Sequence, residues 1–211
     1  MAEVEGSKDL ISVLWSGADI LRSKMDANEY KDYLLGIVFY KYLSDTFLIK
    51  VYDLIYDEKP KSLKVALDAY KEALEDESAE ELKEQIKSEC HYLIEPQLTY
   101  TCFADAARNN AFNRELLQKA FNNIEQSDPL FVDLFTDIDL YSNRLGNGDQ
   151  KQSDTISSLV KEIDKADLLN SDAEILGNAY EYLIGQFASE TGKKAGEFYT
   201  PQAVSKILTK I

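Results

Sequence analysis

The sequence predicts a mainly α protein: an N-terminal helical bundle with at most a short β element. Three observations carry this expectation. Nearly every segment places apolar residues at helical spacing. Glycine and proline are scarce, 9 and 4 in 211 residues, so little interrupts those segments. Strand signal is confined to Tyr92–Ile94 and Glu197–Tyr199. An apolar content of 45% is enough for one sizeable core, or one core and a small subdomain. The division we expect is a helical domain over residues 1–170, then a helix, loop and motif over 171–211.

Ser7 is placed to cap a first helix running to about Lys24. Leu10, Ile11, Leu14, Ala18 and Leu21 make its apolar stripe, with Trp15 at the border as core or as a wedge between helices. Asp26 with Glu29 has capping-box spacing, with Asp in place of the usual Ser or Thr. The next segment, Tyr30 to about Asp53, is apolar on nearly all sides through Tyr33, Leu34, Ile37, Val38, Phe39 and Tyr40. A helix of that kind lies at the centre of a bundle. Gly36 would let a neighbouring helix approach closely. The chain's 13 tyrosines can bury rings and keep hydroxyls at the edge of the core.

Asp57–Pro60 reads as a linker. Lys61–Asp76 follows as a helix with Leu63, Leu67, Tyr70 and Leu74 on one face. Ser78 and Glu81 have capping-box spacing and open a helix to about Glu89. The acids of this zone, Glu72 through Glu84, read as a solvated face. Cys90–Pro96 reads as extended, because the residue before proline avoids helix. Helices are expected at Thr101–Asn109 and Asn113–Gln126. Asp128-Pro129 is a cap with proline at the first position, starting a short turn through Phe131, Leu134 and Phe135. Residues 136–150 read as a loop, 154–165 as a helix, and Ala173–Ala188 as another, capped by Asp172.

Composition excludes several functions. No stretch has the apolar length of a membrane helix: the longest run, Tyr33–Tyr40, falls far short of roughly 20 residues. No N-terminal segment has signal-peptide character. Two cysteines make no disulfide framework, so a reducing cytoplasm is expected. Cys90 and His91 are neighbours and aim poorly at one ion, and no fourth ligand accompanies Cys102, so no metal site is assigned. The Asp and Asn residues from Asp137 onward lack a closing Glu twelve positions on, where Gly148 stands, which rules out an EF-hand-like calcium loop. The formal charge of −15 opposes free-standing nucleic-acid binding, which needs Lys and Arg against phosphate. It favours a basic partner or a local basic patch.

The stretch with chemical promise is Gly196-Glu197-Phe198-Tyr199-Thr200-Pro201-Gln202. It links a polar loop, Ser189–Ala195, to an amphipathic segment, Val204–Ile211. Thr200 is a good N-cap and Pro201 falls at the first helical position. The bare amides that follow can hold an anionic group. Phe198 and Tyr199 stand beside them and could wall an apolar ligand part. Taken alone, Thr-Pro reads rather as an ordinary helix start beside core aromatics.

Two blocks in order are more specific. One runs from Leu14-Trp15 through Asp26-Ala27-Asn28-Glu29-Tyr30-Lys31 to Leu35-Gly36-Ile37-Val38-Phe39-Tyr40-Lys41-Tyr42-Leu43-Ser44-Asp45. The other runs from Ile175-Leu176-Gly177-Asn178-Ala179-Tyr180-Glu181-Tyr182-Leu183-Ile184 to Gly196-Glu197-Phe198-Tyr199-Thr200-Pro201. Together with Tyr92–Pro96 and Phe135–Asp139, they resemble the N-terminal part of the modification subunit of type I restriction–modification enzymes, which are DNA N6-adenine methyltransferases. The resemblance covers nearly the whole chain.

The resemblance implies a helical N-terminal domain preceding a Rossmann-like methyltransferase domain. The glycine-bearing loop and the Asn-Pro-Pro-aromatic loop of that later domain are not found here, so the chain reads as a fragment with no catalytic residue of its own. The resemblance further implies that Glu197, Phe198, Tyr199, Thr200, Pro201 and Gln202 border S-adenosyl-L-methionine. The implied partners are DNA, a specificity subunit, a restriction subunit and a second copy of the modification subunit. Lys193 and Lys194, just before the motif, are the local candidates for DNA phosphate. The competing reading is an acidic helical interaction module without catalysis, which docks a basic protein.

Overall fold

The computed structural model describes residues 2–167, with Gly177 and Glu181 beyond them. Among the described residues the fold is helical, as expected, and contains no strand. Within residues 2–167 seven α-helices follow one another: α1 (Ala2–Arg22), α2 (Ala27–Tyr56), α3 (Leu63–Ala73), α4 (Ala79–Cys90), α5 (Tyr100–Arg108), α6 (Arg114–Glu125) and α7 (Asp149–Ile163). Two short 3₁₀ turns, Pro96–Leu98 and Pro129–Phe131, sit in the connections.

The local start signals act as their chemistry dictates in most places. Asp26 and Glu29 form the capping box of α2, with the Asp26 N–H donating to Glu29 Oε2 at 3.4 Å. Thr99 Oγ1 accepts from Cys102 N–H and caps α5, and Asn113 Oδ1 accepts from Glu115 N–H and caps α6. Asp128 accepts from Leu130 N–H and starts its turn with Pro129 at the first position. Helix α3 begins later than expected because Ser62, overlooked in the sequence, caps it by accepting from Val65 N–H.

Four local expectations are corrected. Ser7 lies inside α1, which starts at Ala2, and so does not stand at its N-cap. Ser78 stands at the N-cap of α4 but makes no capping box; its N–H and hydroxyl both donate to Asp76 Oδ1 instead. Cys90 is the last residue of α4, closed by His91 in the left-handed region, and Tyr92–Ile94 pairs with no strand. Helix α7 starts at Asp149, five residues before the expected Asp154, directly after Gly148 with φ +91°. Its polar first turn is retained because Gln152 and Thr155 are buried there and hydrogen-bonded.

Helix α2 is the axis of the bundle and packs against α1, α3, α4, α5 and α7. Its apolar residues point in several directions because neighbours surround it, which is why Tyr30, Leu34, Ile37, Tyr40, Phe47 and Val51 are all buried. The stripe of α1 is as read: Leu10, Leu14, Ala18 and Leu21 are buried, while Ile11 and Trp15 are partly so.

Close approach to Gly36 comes from elsewhere than expected. A Cβ there would lie 1.9 Å from Ile138 Cδ1, so a loop side chain, not a helix, fills the space. The glycine that admits helices is Gly17, where a Cβ would meet Leu34 of α2 at 2.8 Å and Leu159 of α7 at 3.1 Å.

The tyrosine hydroxyls are also corrected: several are buried. Tyr40 OH donates to Leu98 O at 2.7 Å, Tyr70 OH to Ile94 O at 3.1 Å, and Tyr92 OH to Leu43 O at 3.0 Å. The connection from 91 to 99 has few ladder bonds of its own, so its buried carbonyls take donors from helix side chains. The rings fill the core beside them. Phe121 stacks on Phe135 at 4.2 Å, and Tyr40 meets Phe121 edge-on at 5.4 Å.

Candidate functional site

The residues to which the sequence assigns chemistry, Lys193, Lys194 and Glu197–Gln202, lie outside the described residues, as does the possible strand at 197–199. Gly177 and Glu181 are helical. What the structure describes is the platform from which that stretch continues: the end of α7 and what fastens it.

A buried polar node sits where α2, α5 and α7 meet. Lys41 Nζ lies 2.5 Å from Asp45 Oδ2, one helical turn away on α2. Both are enclosed, at 3% and 1% exposure. The Lys41 ammonium also lies 5.2 Å from the Tyr100 ring centre. Ser44 Oγ accepts from the Tyr100 N–H at 2.7 Å, and Tyr100 OH donates to Val160 O of α7 at 2.9 Å. Asp45 Oδ1 is buried and accepts no hydrogen bond among the described residues.

Electrostatics follow from this enclosure. Burial pushes the Asp45 carboxyl up to about 6; the Lys41 charge opposes that, and Asp164 and Asp167, just past α7, add to it. Burial likewise raises the Tyr100 phenol well above its usual value. Enclosed groups of this kind cannot reach a substrate. They tie α2, α5 and α7 together. Outside the node, Arg108 pairs with both Asp105 and Asp164 and closes the same joint from the surface.

A second anchor holds the other end of α7. Arg114 is 7% exposed and donates to Gln152 Oε1 at 2.5 Å, Asp149 Oδ1 at 3.1 Å and Leu140 O at 3.3 Å. Its guanidinium covers the Tyr141 ring at 4.2 Å. One planar fork therefore joins α6, the loop after Phe135 and α7. Sequence reading missed both anchors. The signal for the first was legible: Lys41 and Asp45 are charged residues four apart in a segment otherwise apolar all round. Nothing comparable marked Arg114.

The loop acids are occupied with backbone turns. Asp139 Oδ1 accepts from Tyr141 N–H, and the Asp139 carbonyl accepts from Tyr33 OH at 2.7 Å. Cys90 and Cys102 are free thiols, and among the described residues no group of three His, Cys, Asp or Glu is arranged around an ion. Several surface cations are matched locally: Lys50 lies 2.9 Å from Glu89, Lys119 3.0 Å from Glu95, and Lys165 2.6 Å from Glu162. Such pairing blunts the field that draws phosphate. Among the described residues no helix is long and apolar enough to cross a membrane.

Comparison with known proteins agrees with this architecture. Residues 10–163 match the family described as the HsdM N-terminal domain, and residues 171–211 match the family described as N-6 DNA Methylase. The chain is 29% identical over 213 residues to the type I restriction enzyme MpnII methylase subunit of Mycoplasma pneumoniae, covering 94% of this chain and 38% of that protein. It is 26% identical to the type I restriction enzyme MjaIX methylase subunit of Methanocaldococcus jannaschii, covering 94% of this chain and 34% of that one. The crystal structure of a type I restriction–modification system methyltransferase subunit from Streptococcus thermophilus superposes with a TM-score of 0.88 at 48% identity, over 97% of this chain and 43% of that one. The chain thus spans less than half the length of these relatives.

Proposed function

Because the chain belongs to the HsdM N-terminal domain family, we propose that it forms the N-terminal part of the DNA methyltransferase subunit of a type I restriction–modification enzyme. The whole subunit transfers a methyl group from S-adenosyl-L-methionine to adenine N6, within a site chosen by a separate specificity subunit. The observation that carries this reading is the order of the two family matches in one chain, helical domain first and methylase segment directly after it.

In this reading the bundle supplies DNA clamping and subunit contacts in the cytoplasm, among a specificity subunit, a restriction subunit and a second modification subunit. Residues 1–170 act as the helical domain, and 171–211 lead into the methyltransferase domain. Glu197, Phe198, Tyr199, Thr200, Pro201 and Gln202 border the cofactor, whose sulfonium supplies the methyl group. Lys193 and Lys194 face DNA phosphate. The node at Lys41, Asp45 and Tyr100 holds α2, α5 and α7 together.

The test is methyl transfer to DNA from labelled S-adenosyl-L-methionine. The 211-residue chain alone is expected to be inactive, while a subunit of the relatives' full length with its specificity subunit turns over. Turnover by the 211 residues overturns the reading. The alternative, an acidic interaction module without catalysis, draws support from the −15 charge and the locally paired cations. An inactive full-length assembly would favour it.

A further inference from the structure

The loop after α6 carries three large apolar side chains in the open. Leu130 is 81% exposed, Val132 59% and Leu134 37%. Phe131 and Phe135 of the same loop turn inward: Phe135 stacks on Phe121, and Phe131 meets Tyr92 edge-on at 5.7 Å. The inward rings hold the loop in place, so its outward face is a fixed ridge. Single exposed apolar residues are ordinary, but three within five residues of one anchored loop are not.

The same loop is acidic. Residues 128–143 contain Asp128, Asp133, Asp137 and Asp139 and no Lys or Arg. On one side the ridge adjoins a cleft of about 550 Å³ lined by Tyr92, Glu95, Asn123 and Asp128. The cleft is also lined by Lys87 and by His91, whose Nδ1 lies 3.8 Å from Asp128 Oδ2. Asn123 Oδ1 is buried there and accepts no hydrogen bond among the described residues. The exposed Asp133, Asp137 and Asp139 of the loop favour a ligand that offers positive charge.

From this juxtaposition we propose that the Leu130–Val132–Leu134 ridge docks a basic amphipathic helix of a protein partner. The apolar face of that helix covers the ridge, and its flanking Arg or Lys residues meet Asp133, Asp137 and Asp139. An apolar centre with a charged rim is the usual anatomy of such a contact. DNA is disfavoured because the rim repels phosphate. A second copy docking through the same patch would place aspartates against aspartates. The inference does not depend on the methyltransferase reading.

The experiment uses the 211-residue chain and a fluorescein-labelled helical peptide with Leu at i, i+3, i+4 and i+7 and Arg on both flanks, read by anisotropy. Saturable binding that weakens with salt is expected. The Leu130→Ser/Val132→Ser/Leu134→Ser variant should lose affinity about tenfold or more. Val132→Arg, which places one cation in the patch, should lose it too. Val65→Ser, at another exposed apolar residue, should bind as the parent does. Unchanged helical circular dichroism confirms that the variants fold. The proposal is overturned if the ridge variants bind as tightly as the parent, if a Glu-flanked peptide binds equally well, or if no peptide binds. Self-association or duplex-DNA binding that the ridge variants abolish would also overturn it.

Discussion

Gly36 and Ile138 compete for one volume: a Cβ on the glycine would stand 1.9 Å from the isoleucine Cδ1. The loop at 138 therefore seats on α2 only because residue 36 has no side chain. Gly36→Ala should improve helix propensity by about 1 kcal/mol but cost about 1–3 kcal/mol through overpacking. The net expectation is destabilisation. Ile138→Val removes the clashing methyl, so Gly36→Ala in that background should become neutral or stabilising. Urea denaturation of the four proteins gives the coupling. Strict additivity would show that the two residues do not share this space.

Asp45 makes stability depend on pH in the direction opposite to most carboxylates. Its folded value of about 6 exceeds the ordinary 3.8, so folding takes up a proton between them. Stability contributed by the protonated form is present below about pH 4 and is lost as pH rises through about 6. The size is at most about 3 kcal/mol for a shift of about two units. Measured against Asp45→Asn, the parent should therefore lose relative stability from pH 4 to 6 and stay level above it. A constant difference across that range would contradict the enclosure of this carboxyl.

Two tyrosines should respond unequally to loss of the hydroxyl. Tyr40→Phe takes from the buried Leu98 carbonyl the donor it has at 2.7 Å. That should cost about 1–3 kcal/mol, or several degrees in Tm at about 2–4 °C per kcal/mol. Tyr100→Phe should cost less, because Val160 O still accepts from the Asp164 N–H at 3.0 Å. Thermal melts of the two variants check the order, and the reverse order would be inconsistent with these bonds.

Lys193 and Lys194 carry the proposal of DNA contact. In the full-length subunit, Lys193→Glu/Lys194→Glu should weaken DNA binding and flatten its dependence on salt, since fewer counterions are released. Titrations at several salt concentrations read both effects. An unchanged slope would dismiss the pair as phosphate ligands.

What the sequence determined by itself is what short-range chemistry controls. Helical period put Leu10, Leu14, Ala18 and Leu21 on one face, and the structure buries them. Asp26 and Glu29, three residues apart, cap α2 whatever surrounds them. The all-round apolar character of 30–53 was enough to place that segment at the centre. Where local signals failed, a distant partner or a nearer competitor had intervened. The polar start of α7 has no apolar period, and it is ordered by Arg114, far earlier in the chain. Ser78 bonded to Asp76 before it could serve as a cap.

Tertiary structure alone decided which carbonyl each tyrosine meets, which side chain enters the gap at Gly36, and that Lys41 and Asp45 are sealed in. Leu98 is 58 positions from Tyr40, and Asp139 is 106 from Tyr33. Spacing along the chain carries no record of such pairings. They arise because buried carbonyls in irregular connections must find donors, and the nearest donor is set by how the helices pack.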